Sequence, residues 1–228
     1  MQHIQAIIWD CDGCLIDSEP IACSIAAAHY TRAGFTIDAQ GYIDRFAGKR
    51  GGDIAQEINN ELGSGLGDEL LRRVDHEKLK AETLAAFESD LKPVSGIHDV
   101  LAALQTMPMA IASGSGMQRL DVSLSVTGLK PYFPEHVYSA ELVEQGKPAP
   151  DIFLYAAEKL NVSPHACLVI EDGPSGVTGA CAAGMQVFGF IGASHGSQAL
   201  AGRLKAAGAH DVLSDIAVLP HLLQTEAA

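Results

Sequence analysis

The sequence predicts an α/β protein in which helices cover both faces of a parallel sheet and an all-helical unit is inserted after the first strand. Short apolar runs typical of buried strands alternate with amphipathic stretches typical of helices. One long segment near the amino end carries helical patterns and no strand signal. At 228 residues, 47% of them hydrophobic and 19% charged, the chain can form a core domain that carries a smaller unit.

Six apolar runs are predicted as strands. The first ends at Trp9, directly before Asp10 and Asp12, as expected of a buried parallel strand that delivers polar groups at its carboxyl end. The last run is the weakest signal. The predicted strands are residues 4–9, 109–113, 137–139, 167–170, 186–190 and 211–213.

The helical patterns fall into two groups. Those of the sheet domain cover residues 97–104, 120–126, 152–160 and 175–183, with Asp151 expected as a helix N-cap. Residues 18–90 form the inserted unit, with helices predicted over 20–33, 53–62 and 68–87. The predicted domains are therefore a core of residues 1–17 and 91–228 and a helical unit of residues 18–90.

Charge and composition restrict the partners. Fifteen Lys and Arg against 28 Asp and Glu give a formal net charge of −13, which disfavours a nucleic-acid partner. We see no secretory signal and no long uncharged apolar run, so we expect a cytoplasmic protein without a membrane partner. The sequence leaves the oligomeric state open, a monomer included.

The window from Asp10 to Asp17 is the most informative for chemistry. Asp10 and Asp12 follow a buried strand, and two carboxylates in one pocket can hold different protonation states. A solvated turn is the alternative interpretation of the same residues. Cys11 and Cys14 have the spacing of a redox or zinc pair, but no second ligand pair accompanies them, so we disfavour that role.

Three further windows carry polar groups after predicted strands or in rigid loops. Ser113 and Gly114 end the second strand and suit a phosphate oxygen, although Ser-Gly is also an ordinary turn. Lys147 lies in a loop with two prolines, where it is either a placed charge or a surface lysine. Glu171 and Asp172 follow the fourth strand and suit either Mg²⁺ ligation or helix capping.

Taken in order, these four windows resemble the haloacid dehalogenase-like (HAD) hydrolase superfamily, in the branch of β-phosphoglucomutase and the sugar-phosphate phosphatases. The resemblance consists of DxDGxxxDSE from Asp10 to Glu19, Ser113 after the second strand, Lys147 in GKPAPDIF, and Glu171 in IEDGPSG. It spans nearly the whole chain.

The resemblance implies a modified Rossmann core with its active site at the carboxyl ends of the strands, and a mobile helical cap that sets specificity. It implies a Mg²⁺-dependent phosphatase with an aspartyl-phosphate intermediate. The implied roles are nucleophile and metal ligand for Asp10, acid/base and main-chain metal contact for Asp12, phosphate binding for Ser113, Gly114 and Lys147, metal ligation for Asp172, and a ligand or outer partner for Glu171.

The substrate is expected to be a small phosphorylated metabolite, such as a sugar or sugar-acid phosphate. In the helical unit, Lys49 and Arg50 form a basic turn that we expect to bind the part of the substrate that is not transferred; a solvated loop is the alternative. Glu19, at the end of the first motif, is a further substrate-binding candidate.

Other activities on the same scaffold remain as alternatives. A phosphosugar mutase of this family carries a His at the position that corresponds to Ala22 here, and a phosphonatase would need a cap lysine such as Lys49. Dehalogenases lack the second aspartate, so Asp12 argues against carbon–halogen cleavage. A phospho-accepting receiver module has no use for Asp12 or for a helical insertion.

Overall fold

The computed structural model describes residues 4–47, 49 and 51–225. The chain divides into two compact units, Met1–Asp17 with Leu91–Ala228, and Ser18–Asp90. We call them the core unit and the helical unit. Among the described residues, no helix combines the length and the apolar character that crossing a lipid bilayer requires.

The core unit is built on a six-stranded parallel sheet with the order β3-β2-β1-β4-β5-β6. The strands are β1 (Ala6–Trp9), β2 (Met109–Ser113), β3 (Val137–Ser139), β4 (Cys167–Glu171), β5 (Gln186–Phe190) and β6 (Asp211–Leu213). The five strand pairings within the sheet are all parallel. The predicted α/β fold with a parallel sheet is thereby confirmed, and the first strand begins two residues later than its apolar run.

Both faces of the central strands are buried, which explains why their sequences are continuous apolar runs rather than alternating ones. Ile8 and Val169 belong to the cluster on one face, while Ile7, Trp9 and Ile170, which alternate with them, are also fully buried. Full burial of one such aliphatic side chain is worth about 1.5–3 kcal/mol.

Among the described residues, six α-helices complete the core unit: α6 (Ile97–Ala103), α7 (Met117–Val126), α8 (Asp151–Leu160), α9 (Pro174–Ala182), α10 (Gln198–Ala206) and α11 (Leu219–Thr225). The prediction that Asp151 is an N-cap was wrong. Asp151 is the first helical residue of α8, and Pro150 occupies the cap position without a side-chain hydrogen bond. Its carboxylate still lies in the first turn, where the helix dipole favours negative charge.

The helical unit consists of α1 (Glu19–Ala33), α2 (Ala39–Phe46), α3 (Gly51–Leu62), α4 (Leu66–Arg73) and α5 (His76–Asp90). Helix α1 ends at Ala33, where the predicted helix also ends, and Gly34 caps it in the left-handed region with φ 113°. Helix α2 was not predicted; its N-cap is Asp38, whose carboxylate accepts a hydrogen bond from the Gly41 N–H at 2.7 Å.

The prediction of a single helix over residues 68–87 was also wrong, because the helix is interrupted between α4 and α5. Val74 leaves the helical conformation with ψ 124° and is buried. The next residue, Asp75, accepts a hydrogen bond from the Lys78 N–H at 3.0 Å and so starts α5. Within the unit, aromatic rings of Tyr30, Tyr42 and Phe46 pack edge to face or tilted in one core.

Candidate active site

Asp10 and Glu171 lie side by side because β1 and β4 are paired neighbours. Trp9 is opposite Ile170, and the Asp10 N–H donates to the Ile170 carbonyl at 2.9 Å. In the sheet, β1 lies between β2 and β4. The chain adds β2 and β3 on one side of β1 and then β4, β5 and β6 on the other, so the strand order reverses at β1. Doubly wound sheets bind ligands in the crevice at the carboxyl ends of the strands where this reversal occurs. The strand order therefore brings together two carboxylates that are far apart in sequence.

Three carboxylates form a cluster at this edge: Asp10, Glu171 and Asp172 each offer an oxygen, and these atoms lie within 4.8 Å of one another. Asp10 and Glu171 are buried, and the Asp172 side chain is only 14% exposed. Carboxylate oxygens are hard donors, which Mg²⁺ prefers. The cluster therefore has the donor chemistry of a divalent-cation site.

Lys147 is the cation of this cluster. Its Nζ donates to Asp10 Oδ1 at 2.5 Å and to Glu171 Oε1 at 2.6 Å, and its side chain is 10% exposed. The loop before α8 brings it there, and the ammonium also lies 5.1 Å from the centre of the Phe153 ring. Of the two sequence interpretations of Lys147, a placed charge and a surface lysine, the geometry favours the first.

The pKa values of the cluster reflect burial together with an excess of negative charge. Burial raises the pKa of Asp10 well above its usual 3.8; Lys147 opposes this rise, while Glu171 and Asp172 add to it. Burial likewise raises the pKa of Glu171, again opposed by Lys147. Burial alone would lower the pKa of Lys147, but the two carboxylates outweigh it and raise that pKa. One ammonium thus faces three carboxyl groups. The positive charge that the cluster lacks is what a divalent cation would supply.

Glu171 is held by a close backbone approach from the start of α9. Its Oε2 accepts a hydrogen bond from the Gly173 N–H at 2.8 Å. A Cβ on Gly176 would lie 1.6 Å from Glu171 Oε1, so only glycine lets the helix come this near. The glycines of the IEDGPSG window are therefore part of how this carboxylate is fixed.

Asp12 is held by two side chains from the segment after β2. Ser115 Oγ donates to Asp12 Oδ2 at 2.6 Å, and Arg119 Nη2 donates to Asp12 Oδ1 at 2.5 Å. The Asp12 side chain is 17% exposed and that of Arg119 26%. Both carboxylate oxygens are thus oriented by donors that the sequence interpretation did not assign.

Ser113 and Gly114 lie at the carboxyl end of β2. Ser113 is buried, and its Oγ accepts a hydrogen bond from the Ser115 N–H at 3.0 Å. A Cβ on Gly114 would meet no atom within 4 Å, so the space beside this backbone is open. Ser139 Oγ donates to the Ser115 carbonyl at 2.8 Å and fixes the turn from the neighbouring strand.

The predicted substrate-binding residues of the helical unit have partners within that unit. Lys49 Nζ lies 2.5 Å from Glu57 Oε2, and Arg45 contacts the same carboxylate at 3.1 Å. Glu19 accepts a hydrogen bond from the Cys23 thiol at 3.0 Å. Arg50 lies outside the described residues.

Three side chains at the site were not predicted from the sequence: Ser115, Arg119 and His195. Arg119 lies in the first turn of α7, where the helix dipole disfavours a cation unless an acid pairs with it, and this could have signalled a partner. His195 Nε2 lies 2.9 Å from Asp172 Oδ2. No local pattern marks that contact, because it joins a loop after β5 to the end of β4.

The cysteines near the site have no free-thiolate character. Cys11 and Cys14 are buried and form no disulfide. Burial raises the pKa of both thiols well above the usual 9.0, and the neighbouring carboxylates add to this rise. A nucleophilic thiolate needs the opposite environment, so the geometry agrees with the sequence-based preference against a redox role.

Comparison with known proteins identifies the family. A family model for haloacid dehalogenase-like hydrolases matches residues 4–184. The chain is 29% identical over 195 residues to 6-phosphogluconate phosphatase of Escherichia coli (strain K12), covering 86% of each protein. It is 33% identical over 187 residues to fructose-1-phosphate phosphatase of the same organism, covering 81% of this chain and 95% of that protein.

A solved structure agrees over the full length. A conserved haloacid dehalogenase-like protein of unknown function from Agrobacterium tumefaciens str. C58 is 39% identical, with a TM-score of 0.84, and the match covers 99% of this chain and 100% of the other. The resemblance that the four sequence windows indicated is confirmed. The chain belongs to the haloacid dehalogenase-like hydrolases.

Proposed function

We propose that this hydrolase is a Mg²⁺-dependent phosphatase for small phosphate monoesters, with Asp10 as the nucleophile and Asp12 as the general acid/base. The observation that carries the proposal is the meeting of Asp10, Glu171 and Asp172 at one sheet edge with Lys147 between two of them. Asp12 follows Asp10 by two residues and is oriented separately by Ser115 and Arg119.

Asp10, Asp172 and the main-chain carbonyl of Asp12 would hold the Mg²⁺ ion. Glu171 suits the role of an outer partner, because its two oxygens already accept from Lys147 and from the Gly173 N–H. Bound Mg²⁺ supplies positive charge that offsets the negative charges of the nucleophile and the phosphate. Lys147 supplies a further positive charge from the protein itself, at the oxygen of Asp10.

The first half-reaction transfers the phosphoryl group to the protein. An Asp10 carboxylate oxygen attacks phosphorus, the bond from phosphorus to the leaving oxygen breaks, and the departing alcohol takes a proton from Asp12. Ser113 and the open backbone beside Gly114 are proposed to bind the phosphate oxygens, with Lys147. The product is an alcohol and a phosphorylated Asp10.

The second half-reaction returns Asp10 to its carboxylate. Water attacks phosphorus, Asp12 accepts the water's proton, and the bond between phosphorus and the Asp10 oxygen breaks to release inorganic phosphate. Arg119 only donates, so it fixes Asp12 Oδ1 as an acceptor; Ser115 can donate or accept, so Oδ2 is the oxygen suited to carry the proton.

The proposed substrates are sugar and sugar-acid phosphates. The relatives named above act on 6-phosphogluconate and on fructose 1-phosphate, as their names state. With a net charge of −13, the protein attracts no anion at long range, so an anionic substrate must be drawn in by placed cations. In the core unit Lys147 is such a cation.

The test is a screen for inorganic phosphate release from 6-phosphogluconate, fructose 1-phosphate, glucose 1-phosphate and related esters in Mg²⁺. We expect release from one or more of these esters and its abolition in Asp10→Asn. Asp121→Asn is the matched control, because Asp121 is an exposed carboxylate that pairs with Lys130 on the surface of the core unit. Absence of release from every ester, or full turnover by Asp10→Asn, would refute the proposal.

The same screen separates the alternatives on this scaffold. Isomerisation of glucose 1-phosphate without net phosphate release indicates a mutase. Inactivation by borohydride in the presence of a phosphonate substrate indicates a Schiff base, for which Lys49 is the candidate. A long-lived phosphorylated Asp10 with no turnover of any ester indicates a receiver module.

We further propose that the basic pair Lys49 and Arg50 binds the acidic part of the substrate. Lys49 already forms an ion pair with Glu57, so it would interact with the substrate and with Glu57 together. Arg50→Glu should raise KM for acidic esters such as 6-phosphogluconate and leave KM for neutral sugar phosphates unchanged. Equal KM changes for both classes would remove this role while leaving the phosphatase assignment intact.

A further inference from the structure

His195 makes a buried contact with one of the three clustered carboxylates. Its Nε2 lies 2.9 Å from Asp172 Oδ2, and the side chains are 5% and 14% exposed. Since a carboxylate accepts hydrogen bonds, the contact places a hydrogen on Nε2. The bond fixes one oxygen of a carboxylate that also belongs to the cluster with Asp10 and Glu171.

We propose that His195 is a positioning residue for the cation site, which holds the Asp172 carboxylate in the orientation that Mg²⁺ binding requires. This inference rests on the proposed function, because it concerns a residue proposed to hold the metal. His195 itself is not a ligand in this proposal; it acts through Asp172.

The packing around the contact leaves little room for another arrangement. Gly13 lies against both side chains: a Cβ there would be 2.0 Å from Asp172 Oδ2 and 2.8 Å from His195 Cε1. Gly13 also has φ 75°, which a residue with a side chain rarely adopts. Three segments of the core unit, the turn after β1, the end of β4 and the loop after β5, therefore meet at this carboxylate.

The loop that carries His195 is itself anchored to the first motif. The Ser194 N–H donates to Asp17 Oδ1 at 3.1 Å, and the Ser194 hydroxyl donates to Asp17 Oδ2. Behind it, the Ile191 N–H donates to the Leu213 carbonyl at 2.9 Å. Asp17 belongs to the DxDGxxxDSE window but contacts neither Asp10 nor the cluster in the bonds described, and this anchoring gives it a role.

Asp172 needs such a partner because its neighbours repel it. One oxygen each of Asp172, Asp10 and Glu171 lie within 4.8 Å of one another, a distance at which like charges repel. A carboxylate that is held in place before the cation arrives loses less freedom on binding. Removing an outer partner of a metal ligand typically costs about 10–100-fold in metal affinity.

The test measures binding of Mg²⁺ alone by calorimetric titration of the chelator-treated protein, so it needs no substrate and no turnover. His195→Leu should weaken Mg²⁺ binding by about 10-fold or more. His195→Gln, whose amide N–H can replace the Nε2 donor, should restore binding to within about 3-fold of wild type, a rescue that lost packing alone does not give.

His165 provides a matched control. It packs against Gly184, which has φ 75° as Gly13 has, and its Nδ1 lies 2.9 Å from the Gly184 carbonyl, but it precedes β4 at the opposite end of the strand. His165→Leu should leave Mg²⁺ affinity unchanged. Loss of affinity in this control equal to that of His195→Leu would overturn the proposal.

Two other results would overturn it: wild-type affinity in His195→Leu, or equal weakening by leucine and glutamine. Either leaves the phosphatase assignment standing, whereas a wild-type protein that binds no Mg²⁺ removes both. Should His195→Leu fail to fold, Ser194→Ala decides, since it retains His195 and the backbone bond to Asp17. It should weaken Mg²⁺ binding about 3-fold or more, and unchanged affinity would refute the role of the anchored loop.

Discussion

Replacing Lys147 by methionine should destabilise the metal-free core unit strongly, and more so at higher pH. Methionine keeps much of the lysine's length and apolar stem but removes the ammonium that contacts Asp10 at 2.5 Å and Glu171 at 2.6 Å. The two carboxylates, 9% and 3% exposed, would then face each other and Asp172 without a cation.

The magnitude follows from two attractions and one penalty. Opposite unit charges about 4 Å apart attract by about 4 kcal/mol at an effective dielectric constant of about 20. Burying the Lys147 ammonium costs the wild-type protein several kcal/mol. The variant avoids this cost, which offsets part of the loss of the two attractions. A net loss of about 3–5 kcal/mol is expected at neutral pH, the usual result of leaving buried charge uncompensated.

The pH dependence has a definite sign. The pKa values of Asp10 and Glu171 are raised above 3.8 and 4.5 in the folded protein, and Lys147 is the neighbour that lowers them, so its loss raises both further. A group with a raised folded-state pKa stabilises the fold below its unfolded pKa, and that stability is lost as pH rises through the folded value. The destabilisation by Lys147→Met should therefore be small near pH 4 and grow as pH rises through the raised pKa values.

The assay is urea unfolding in chelator at several pH values, followed by the fluorescence of Trp9, the single tryptophan, which is fully buried beside Asp10. Lys159→Met is the matched control: this lysine is half exposed, its ion pair with Glu158 is 3.9 Å long, and its loss should cost less than about 1 kcal/mol. A loss that is constant from pH 4 to pH 9, or that shrinks toward high pH, would refute this account of the cluster.

Three further predictions concern the same site. Gly13→Ala should lower the free energy of unfolding by about 1–3 kcal/mol because of its φ of 75°, and its new methyl group should weaken Mg²⁺ binding by displacing Asp172. The control Gly202→Ala, whose Cβ would meet no atom within 4 Å, should be neutral or stabilising in the same urea titration. Arg119→Met should lower kcat about 10-fold or more with little change in KM, and Arg119→Lys should recover part of the lost kcat, since either cation can hold Asp12. Steady-state kinetics with the best ester of the screen test this, and a change in KM alone would contradict the role of Arg119. Mg²⁺ at about 100 times its Kd should stabilise the protein by about 2.7 kcal/mol, measured as a shift in Tm that chelator reverses and that Asp172→Asn abolishes.

Local patterns in the sequence were sufficient for the strands because buried parallel strands are apolar on both faces. The runs that end at Trp9, Ser113 and Ile170 each finish where polar residues follow, and parallel strands bring those ends to one edge. The family resemblance rested on the same windows. Helix limits were less secure: the break at Val74 and the cap at Pro150 depend on which side chains are buried and how the chain turns there.

By itself, then, the sequence determined the α/β class, the parallel sheet, the family and the acidic ends of two strands. Only the tertiary structure decided which residues from distant segments touch those ends: Arg119 reaches Asp12 across 107 positions, and His195 reaches Asp172 from the loop after β5. The physical reason is that the apolar residues of a strand by themselves indicate that it is buried. A contact between loops depends instead on strand order and on the close approaches that particular glycines permit.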